Sequence, residues 1–326
     1  MFRISSLVLA SLAAILLLPL AGCSPPANGS AEKDEHSKAA TTVHKFAGQH
    51  PIQIVCTTGM VADLARNVGG KHVEVKALMG AGVDPHLYKA SPGDLSLMSN
   101  ADMVLYSGLH LEGKMTEVFE NLAREKPAVP VAERGIPHDQ ILEVEGGAHD
   151  PHVWFDVSLW SQAAAAVRDA LISFDQAHAD DYKANAAAYQ ARLAKLHEEA
   201  KTTIATIPKE QRVMVTAHDA FRYFGRAYDI EVRGIQGIST ESEAGVKQIN
   251  DLVKFLSERK IKAVFVETSV SDQNIRSLLE GSSASGHKVV IGGELFSDAM
   301  GNDGTPEGTY EGMVRHNVET IVKALK

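Results

Sequence analysis

The 326-residue sequence contains a long stretch, residues 177–207, with neither glycine nor proline. Alanine is frequent there, and one face is marked at near-helical spacing by Tyr182, Tyr189, Leu193, Leu196, Ala200 and Ile204. Pro208 follows, where a helix is expected to stop. About 30 residues at 1.5 Å each would form a rod of roughly 45 Å. This length favours a helix that joins two parts of the molecule. The alternative is a surface helix packed within one part.

Short apolar runs alternate with helical patterns on both sides of this stretch. The runs before it are Ile52–Thr57, Val73–Met79, Met103–Tyr106 and Ala128–Val131, and those after it are Arg212–Thr216, Glu231–Ile235, Ala263–Glu267 and Lys288–Ile291. Such alternation is typical of parallel sheets with crossover helices. The predicted fold is therefore α/β, with two lobes, each a parallel β-sheet flanked by helices, joined by one long rigid α-helix. The predicted N-terminal lobe is 51–176, the linking helix 177–207 and the C-terminal lobe 208–326.

The first residues have the pattern of a secretory signal. Arg3 precedes an almost wholly apolar run from 4 to 20, which is shorter than the ~20 residues of a membrane-spanning helix. The small residues directly before Cys23 resemble a lipobox. That resemblance implies a signal peptide over 1–22, cleavage before Cys23 and lipid attachment to its thiol. The alternative is a plain signal peptide with a chance cysteine.

The segment that follows Cys23 lacks the large apolar side chains needed for a core. Residues 24–50 are rich in small and polar side chains, so we expect residues 23–50 to form a lipidated tether. His36, His44 and His50 lie in it, either as solvated residues or as a weak metal-collecting tract. Cys56 is the one other cysteine of the chain and is expected to be a small buried hydrophobe.

The charge of the chain bounds the class of ligand. The formal net charge is −9, and removal of Arg3 with the signal would make it about −10. Nucleic-acid binding requires a basic footprint, so this balance argues against it. A cationic ligand is compatible with it.

Three histidines and one aspartate follow strands or lie in turns that would project them. These are His86, His152, His218 and Asp298. Ligands of open α/β sheets bind beyond the carboxyl ends of the strands, and two candidates come from each lobe. Three neutral imidazoles and a carboxylate satisfy a four-coordinate zinc site. The alternative is that these are structural or surface residues.

Nearby acids are candidates to orient the imidazoles. Asp84, Asp150 and Asp219 each lie within two residues of a candidate ligand, and metal-binding histidines usually donate their second N–H to a carboxylate or carbonyl. Glu267 ends a predicted strand and is expected to cap a helix, with an orienting role as the alternative. We expect His110 and Glu112 to be packing or lobe-contact residues, and His72 and His178 to be solvated.

Four runs in order resemble the zinc/manganese solute-binding proteins of ABC importers, the TroA-like type. They are Gly82–Tyr88 (GVDPHLY), Asp150–Asp156 (DPHVWFD), Thr216–Phe221 (TAHDAF) and Gly292–Gly301 (GGELFSDAMG). The resemblance extends over nearly the whole chain from about residue 52. It implies a metal site at the interface of two lobes, with His86, His152, His218 and Asp298 as ligands and no catalytic residue.

The same resemblance implies what the protein binds and where it acts. One Zn²⁺ or Mn²⁺ would be the transported ligand, and the partner would be the membrane permease of an ABC importer. The protein would be extracytoplasmic, in a periplasm or at a cell surface, held to the membrane by the lipid on Cys23, and a monomer. A long His-rich loop found in many zinc-specific members is absent between 131 and 150, whereas many manganese-specific members have Glu in place of His218. The metal therefore stays open.

Two other functions compete with a transport receptor. A metal-dependent hydrolase would need an open coordination position and usually a general base. A surface adhesin or structural lipoprotein would use the metal to stabilise its fold, and should unfold when the metal is removed. A receptor must release its metal, so its metal-free form should stay folded.

Overall fold

The computed structural model describes residues 46–144 and 146–326. The predicted signal peptide, Cys23 and the predicted tether up to residue 45, with His36 and His44, lie outside the described residues. Among the helices of the described part, none has the length and apolar character to cross a membrane.

The first lobe is built on a four-stranded parallel sheet with strand order β2-β1-β3-β4. Its strands are β1 (Ile52–Cys56), β2 (Val73–Ala77), β3 (Met103–Tyr106) and β4 (Ala128–Pro130). Its first helices are α1 (Gly59–Gly69), α2 (Pro92–Asn100), α3 (Thr116–Leu122) and α4 (Val131–Gly135). Ile54 of the central β1 pairs with Val75 on one side and Met103 on the other. The sequence prediction of parallel strands with crossover helices is confirmed here.

A further helix, α5 (Val157–Phe174), has 18 residues and was not predicted from the sequence. Asp156 is its N-cap, and the carboxylate accepts a hydrogen bond from the Ser158 N–H at 3.0 Å. Trp160, Val167 and Leu171 are fully buried on its inner face. An acidic cap before a helically spaced apolar run is a recognisable start signal, so the sequence did contain the information.

The predicted long helix is α6 (Ala179–Ile204), with 26 residues. At 1.5 Å per residue it is about 39 Å long. All six side chains that marked its predicted face are buried. The helix packs against α1 and α5 of the first lobe and against the closing helix α10 (Tyr310–Leu325) of the second. Its contacts with both lobes make it the connecting element.

The second lobe holds two parallel strand pairs. The strands are β5 (Val213–Thr216), β6 (Glu231–Gly234), β7 (Ala263–Glu267) and β8 (Val290–Leu295), paired as β5–β6 and β7–β8. Its helices before α10 are α7 (Arg222–Tyr228), α8 (Val246–Arg259) and α9 (Gln273–Ala284). β5 lies beside β7, so the residues at the carboxyl ends of these two strands are neighbours.

One apolar core runs from the first sheet through the helices into the second lobe. It includes Ile52 of β1, Leu193 of α6 and Ile321 of α10. This continuity restricts rotation of one lobe against the other, since packed interiors deform little.

Cys56 is a free buried cysteine, as predicted, and burial raises the pKa of its thiol far above the usual range. The prediction that His72 is solvated is wrong, because its side chain is buried.

Candidate metal centre

The Asp84-Pro85-His86 turn presents the first imidazole. The carboxylate of Asp84 accepts a hydrogen bond from the His86 backbone N–H at 2.8 Å, which fixes the turn. Its other oxygen accepts a bond from the Thr240 hydroxyl of the second lobe at 2.6 Å. Asp84 therefore orients the backbone of His86 and links the lobes. It does not bond the imidazole ring, contrary to the sequence prediction.

The Asp150-Pro151-His152 turn presents the second imidazole with both its backbone and its ring held by one carboxylate. Asp150 Oδ1 accepts from the His152 backbone N–H at 3.0 Å and lies 2.8 Å from ring Nδ1. A proton on Nδ1 leaves the lone pair of Nε2 free to bind. Both side chains are fully buried. The predicted orienting role of Asp150 is confirmed.

His218 follows β5 and is held by Glu267, which ends the neighbouring strand β7. Glu267 Oε2 lies 2.5 Å from His218 Nδ1, and Oε1 accepts from the His218 backbone N–H at 2.9 Å. The helix-capping role preferred for Glu267 on sequence grounds is wrong, and its alternative orienting role is observed. The sequence suggested that Asp219 orients the His218 ring, but no hydrogen bond joins these two described residues.

Asp298 lies in the loop after β8, and the backbone around it is anchored from the first lobe. Trp154 Nε1 donates to the Ser297 carbonyl across the interface at 3.1 Å. The Ser269 hydroxyl lies 2.8 Å from that of Ser297 and 3.4 Å from the Asp298 N–H. The aspartate side chain is thereby aimed into the space between the lobes.

The four predicted residues converge. Nε2 of His152 lies 3.3 Å from Nε2 of His86 and 3.3 Å from Nε2 of His218. The Asp298 oxygens lie 3.5 Å from Nε2 of His86, 3.5 Å from that of His152 and 3.2 Å from that of His218. A tetrahedron with bonds of 2.0–2.1 Å, as zinc makes to nitrogen and oxygen, has edges of about 3.3–3.4 Å. The donor spacing therefore matches the coordination shell of such an ion.

The charges in this cluster act on one another strongly. Burial alone would raise the pKa of Asp298, but the facing imidazoles of His218, His152 and His86 outweigh it and hold that pKa well below the usual range. Burial would lower the pKa of His218, but the carboxylates of Glu267 and Asp298 raise it well above its ordinary value. Burial lowers the pKa of the His86 imidazole to about 4.

The carboxylate of Asp298 lacks hydrogen-bond donors among the described residues. Although Oδ2 is 3.2 Å from His218 Nε2, neither oxygen receives a well-aligned hydrogen bond from the described residues. Buried carboxylates are normally bonded or coordinated to a metal, because an unpaired buried charge is costly. This orphaned group fits a metal ion at the centre of the cluster.

The site is closed to solvent. His86 is 4 % exposed, and the other three side chains are at most 1 % exposed. The interface around them is held by the Asp84–Thr240 hydrogen bond and by an ion pair between Lys114 and Glu241. An ion can therefore reach the site only through local opening of these contacts.

Two further residues that the sequence singled out do not belong to the converging group. Glu112 is buried and accepts hydrogen bonds from the Thr57 hydroxyl at 2.6 Å and from the backbone N–H of Ser107 at 2.8 Å. It fixes the loop after β3, in agreement with the predicted packing role. His110 is exposed, and it is not among the residues that converge on the interlobe centre.

Fold and site together define a two-lobed α/β solute-binding protein whose interlobe centre can hold a metal ion. Residues 54–324 match the family described as zinc-uptake complex component A, periplasmic. The manganese-binding lipoprotein MntA of Bacillus subtilis is 51% identical over 276 residues, 84% of this chain and 90% of that protein. The zinc-binding protein TroA of Treponema pallidum is 49% identical over 272 residues, 83% of this chain and 88% of that protein.

A solved structure gives the same result for the fold. The periplasmic zinc-binding protein TroA from Treponema pallidum aligns with a TM-score of 0.82 and 48% identity, covering 85% of this chain and 99% of that one. The chain belongs to the zinc-uptake component A family of ABC-importer substrate-binding receptors. The members of this family are receptors and not enzymes, so the relatives give no support to the hydrolase alternative.

Proposed function

We propose that this protein captures one divalent transition-metal ion, Zn²⁺ or Mn²⁺, outside the cytoplasm and delivers it to the membrane permease of an ABC importer. His86, His152, His218 and Asp298 are the proposed ligands. The observation that carries the proposal is their buried convergence, with donor spacings of 3.2–3.5 Å. The ion is the cargo of the protein.

The donor set supports a carrier rather than a catalyst. A catalytic zinc keeps a coordination position for water or substrate, whereas four protein donors close the shell. Two donors come from each lobe, so loss of the interlobe contacts would separate the donors and release the ion. Because the lobes share one core, we propose that this opening is small and local.

The preferred metal is a separate question from the site. Three imidazoles favour Zn²⁺ over the more oxygen-preferring Mn²⁺ on ligand softness. The two relatives at 51% and 49% identity are named for manganese and for zinc, respectively, so they support both metals equally.

We further propose the membrane address and domain division. Residues 1–22 form a cleaved signal peptide, Cys23 is lipidated, and the mature protein is an extracytoplasmic, membrane-anchored monomer in a periplasm or at a cell surface. The lobes are 51–176 and 208–326, joined by 177–207. The names of several relatives, which are lipoproteins, support the anchor. Residues 23–50 form the proposed tether, and its last residues contact the first lobe, since Phe46 donates its backbone N–H to the Phe174 carbonyl at 2.8 Å.

The test is a metal titration of the protein after chelation and dialysis. We expect one tightly bound ion per chain in separate Zn²⁺ and Mn²⁺ titrations, and loss of that ion in Asp298→Asn. Asp303→Asn, an exposed aspartate in the same loop, is the matched control. Circular dichroism should show that the metal-free protein stays folded, because a receptor must survive release. Unfolding on metal removal would favour a structural lipoprotein, and tight binding in Asp298→Asn would refute the ligand set.

A further inference from the structure

A second group of histidines lies at the opposite edge of the first sheet. His50 precedes β1 and His72 directly precedes β2. These strands are parallel neighbours, with Ile52 opposite Val73, so both histidines lie at the amino edge. His178 comes from the segment just before α6. The interlobe centre is formed at the carboxyl edge, and the two groups are therefore separated by the length of the strands.

The three rings face one another closely. The ring centroids of His72 and His178 are 4.0 Å apart, and that of His50 lies 4.6 Å from His178 and 5.6 Å from His72. One ring nitrogen from each of the three lies within 4.8 Å of the others. A tetrahedral zinc site has edges of about 3.3–3.4 Å, so nitrogens that stand further apart than this must move inward to share an ion.

Two carboxylates hold the rings in a way that suits metal binding. Asp181 Oδ2 lies 2.6 Å from His72 Nε2, and Asp175 Oδ2 lies 2.7 Å from His178 Nδ1. Asp175 is itself fixed by the Tyr182 hydroxyl at 2.7 Å. An imidazole that donates one N–H to a carboxylate presents the lone pair of its other nitrogen, which is the usual arrangement at metal-binding histidines.

Two of the three rings are partly exposed and therefore have room for an inward shift. His72 is buried and fixed, whereas the side chains of His50 and His178 remain 34% and 32% exposed. The polar contacts of His50 with the described residues are long, at 3.4 Å from Nδ1 to the His72 carbonyl and 3.5 Å from Nε2 to Asp175. Rotation of these two side chains can close the group around an ion without moving the core.

We propose that His50, His72 and His178 form a second metal site, open to solvent, that takes a late divalent transition-metal ion such as Zn²⁺. Imidazole ligands suit Zn²⁺, Cu²⁺ and Ni²⁺ rather than the oxygen-preferring Mg²⁺ or Ca²⁺. The site has three protein ligands and leaves a fourth position for water. It binds more weakly than the interlobe centre, because two of its rings are partly exposed to solvent. A bound ion ties the chain before β1 to the start of α6.

The experiment is a Zn²⁺ titration of the full-length, metal-free protein against a chromophoric chelator at pH 7.5. We expect two equivalents in the unmodified protein, the second weaker than the first. His50→Ala and His178→Ala should each lose the second equivalent and keep the first, since neither residue belongs to the interlobe centre. His316→Ala, a partly exposed histidine on α10, should keep both.

The Asp298→Asn variant separates this inference from the proposed function. Loss of the tight equivalent with retention of the weak one supports both proposals. If Asp298→Asn still binds one Zn²⁺ tightly, the interlobe ligand set is refuted, whereas the proposal of a second site is unaffected. A single equivalent in the unmodified protein, or a second equivalent that survives in both His50→Ala and His178→Ala, overturns the second site.

Discussion

The interlobe centre and the amino-edge histidine group, which consists of His50, His72 and His178, contain the same type of side chain. They differ in how that side chain is held. The interlobe imidazoles are buried, and their orienting acids Asp150 and Glu267 are buried with them. At the amino edge, Asp181 is 52% exposed and two of the rings reach solvent. Buried charges interact more strongly than exposed ones because water screens them less. We therefore expect burial and fixed orientation, rather than the number of histidines, to make the interlobe centre the tighter of the two proposed sites.

The largest expected effect is the loss of Zn²⁺ affinity when a proposed ligand of the interlobe centre, rather than of the amino-edge group, is removed. His218→Ala removes a proposed ligand of the interlobe centre. Loss of a residue that only orients a ligand lowers metal affinity about 10–100-fold, so loss of the ligand itself should lower Zn²⁺ affinity by more than that. His178→Ala should leave this affinity unchanged. Competition with a chelator measures both. Equal losses in the two variants would mean that the two groups are not independent.

A smaller effect is expected when an orienting acid is changed. Glu267→Gln keeps the size of the side chain but removes the charge that faces His218 Nδ1, and affinity at the interlobe centre should fall about 10–100-fold. Asp181→Asn is the matched change at the amino edge and should not affect the tight site. If Glu267→Gln binds Zn²⁺ as tightly as the unmodified protein, the fixed orientation of His218 is not a source of affinity.

The pH dependence should also distinguish the two regions. In the metal-free interlobe site, Glu267 and Asp298 raise the pKa of His218, so this ring still carries a proton near neutral pH. The pKa of His86, about 4, leaves that ring neutral above pH 5. Metal binding at pH 7 should therefore release about one proton from His218, and affinity should rise with pH until His218 is deprotonated.

Calorimetry of the tight binding step in buffers of different ionisation enthalpy measures this release. Repeating it with Glu267→Gln is the control, because loss of one of the two facing carboxylates should reduce the number of protons released. An enthalpy that does not depend on the buffer would show that His218 is already neutral in the metal-free protein.

The smallest expected effect concerns closure of the lobes. Thr240→Val removes the hydroxyl that bonds Asp84 across the interface, a contact worth about 1 kcal/mol. Affinity should fall up to about tenfold, mainly through faster release of the ion, as stopped-flow transfer to a chelator would show. Thr202→Val, on the exposed side of α6, should release at the normal rate. A faster release from that control would point to a general loss of stability.

The sequence specified the proposed ligands better than the residues that hold them in place. His86, His152, His218 and Asp298 lie in short local motifs, and the long helix is marked by its own periodicity, so both could be predicted. Glu267 and His218 are 49 positions apart in the chain, and they meet because β5 and β7 lie side by side. Such pairings depend on the assembled sheet, and local patterns do not contain them. The same holds for the amino-edge group, which three distant segments bring together.

One wrong prediction and one missed helix have different causes. Asp84 is close to His86 in sequence, but the Asp-Pro turn directs its carboxylate to the backbone N–H and to Thr240. The helix α5 was not predicted, although Asp156 marks its start and its buried apolar residues recur at helical spacing. The first error needed tertiary information, and the second did not.

The central claim is that the interlobe centre holds the transported metal. The most direct test is a crystal structure of the protein loaded with one equivalent of Zn²⁺, with anomalous diffraction data collected at the zinc absorption edge. The predicted result is one dominant peak between His86, His152, His218 and Asp298, at about 2.0–2.1 Å from the ligand atoms. A dominant peak elsewhere, including at His50, His72 and His178, with none between the lobes would contradict the claim.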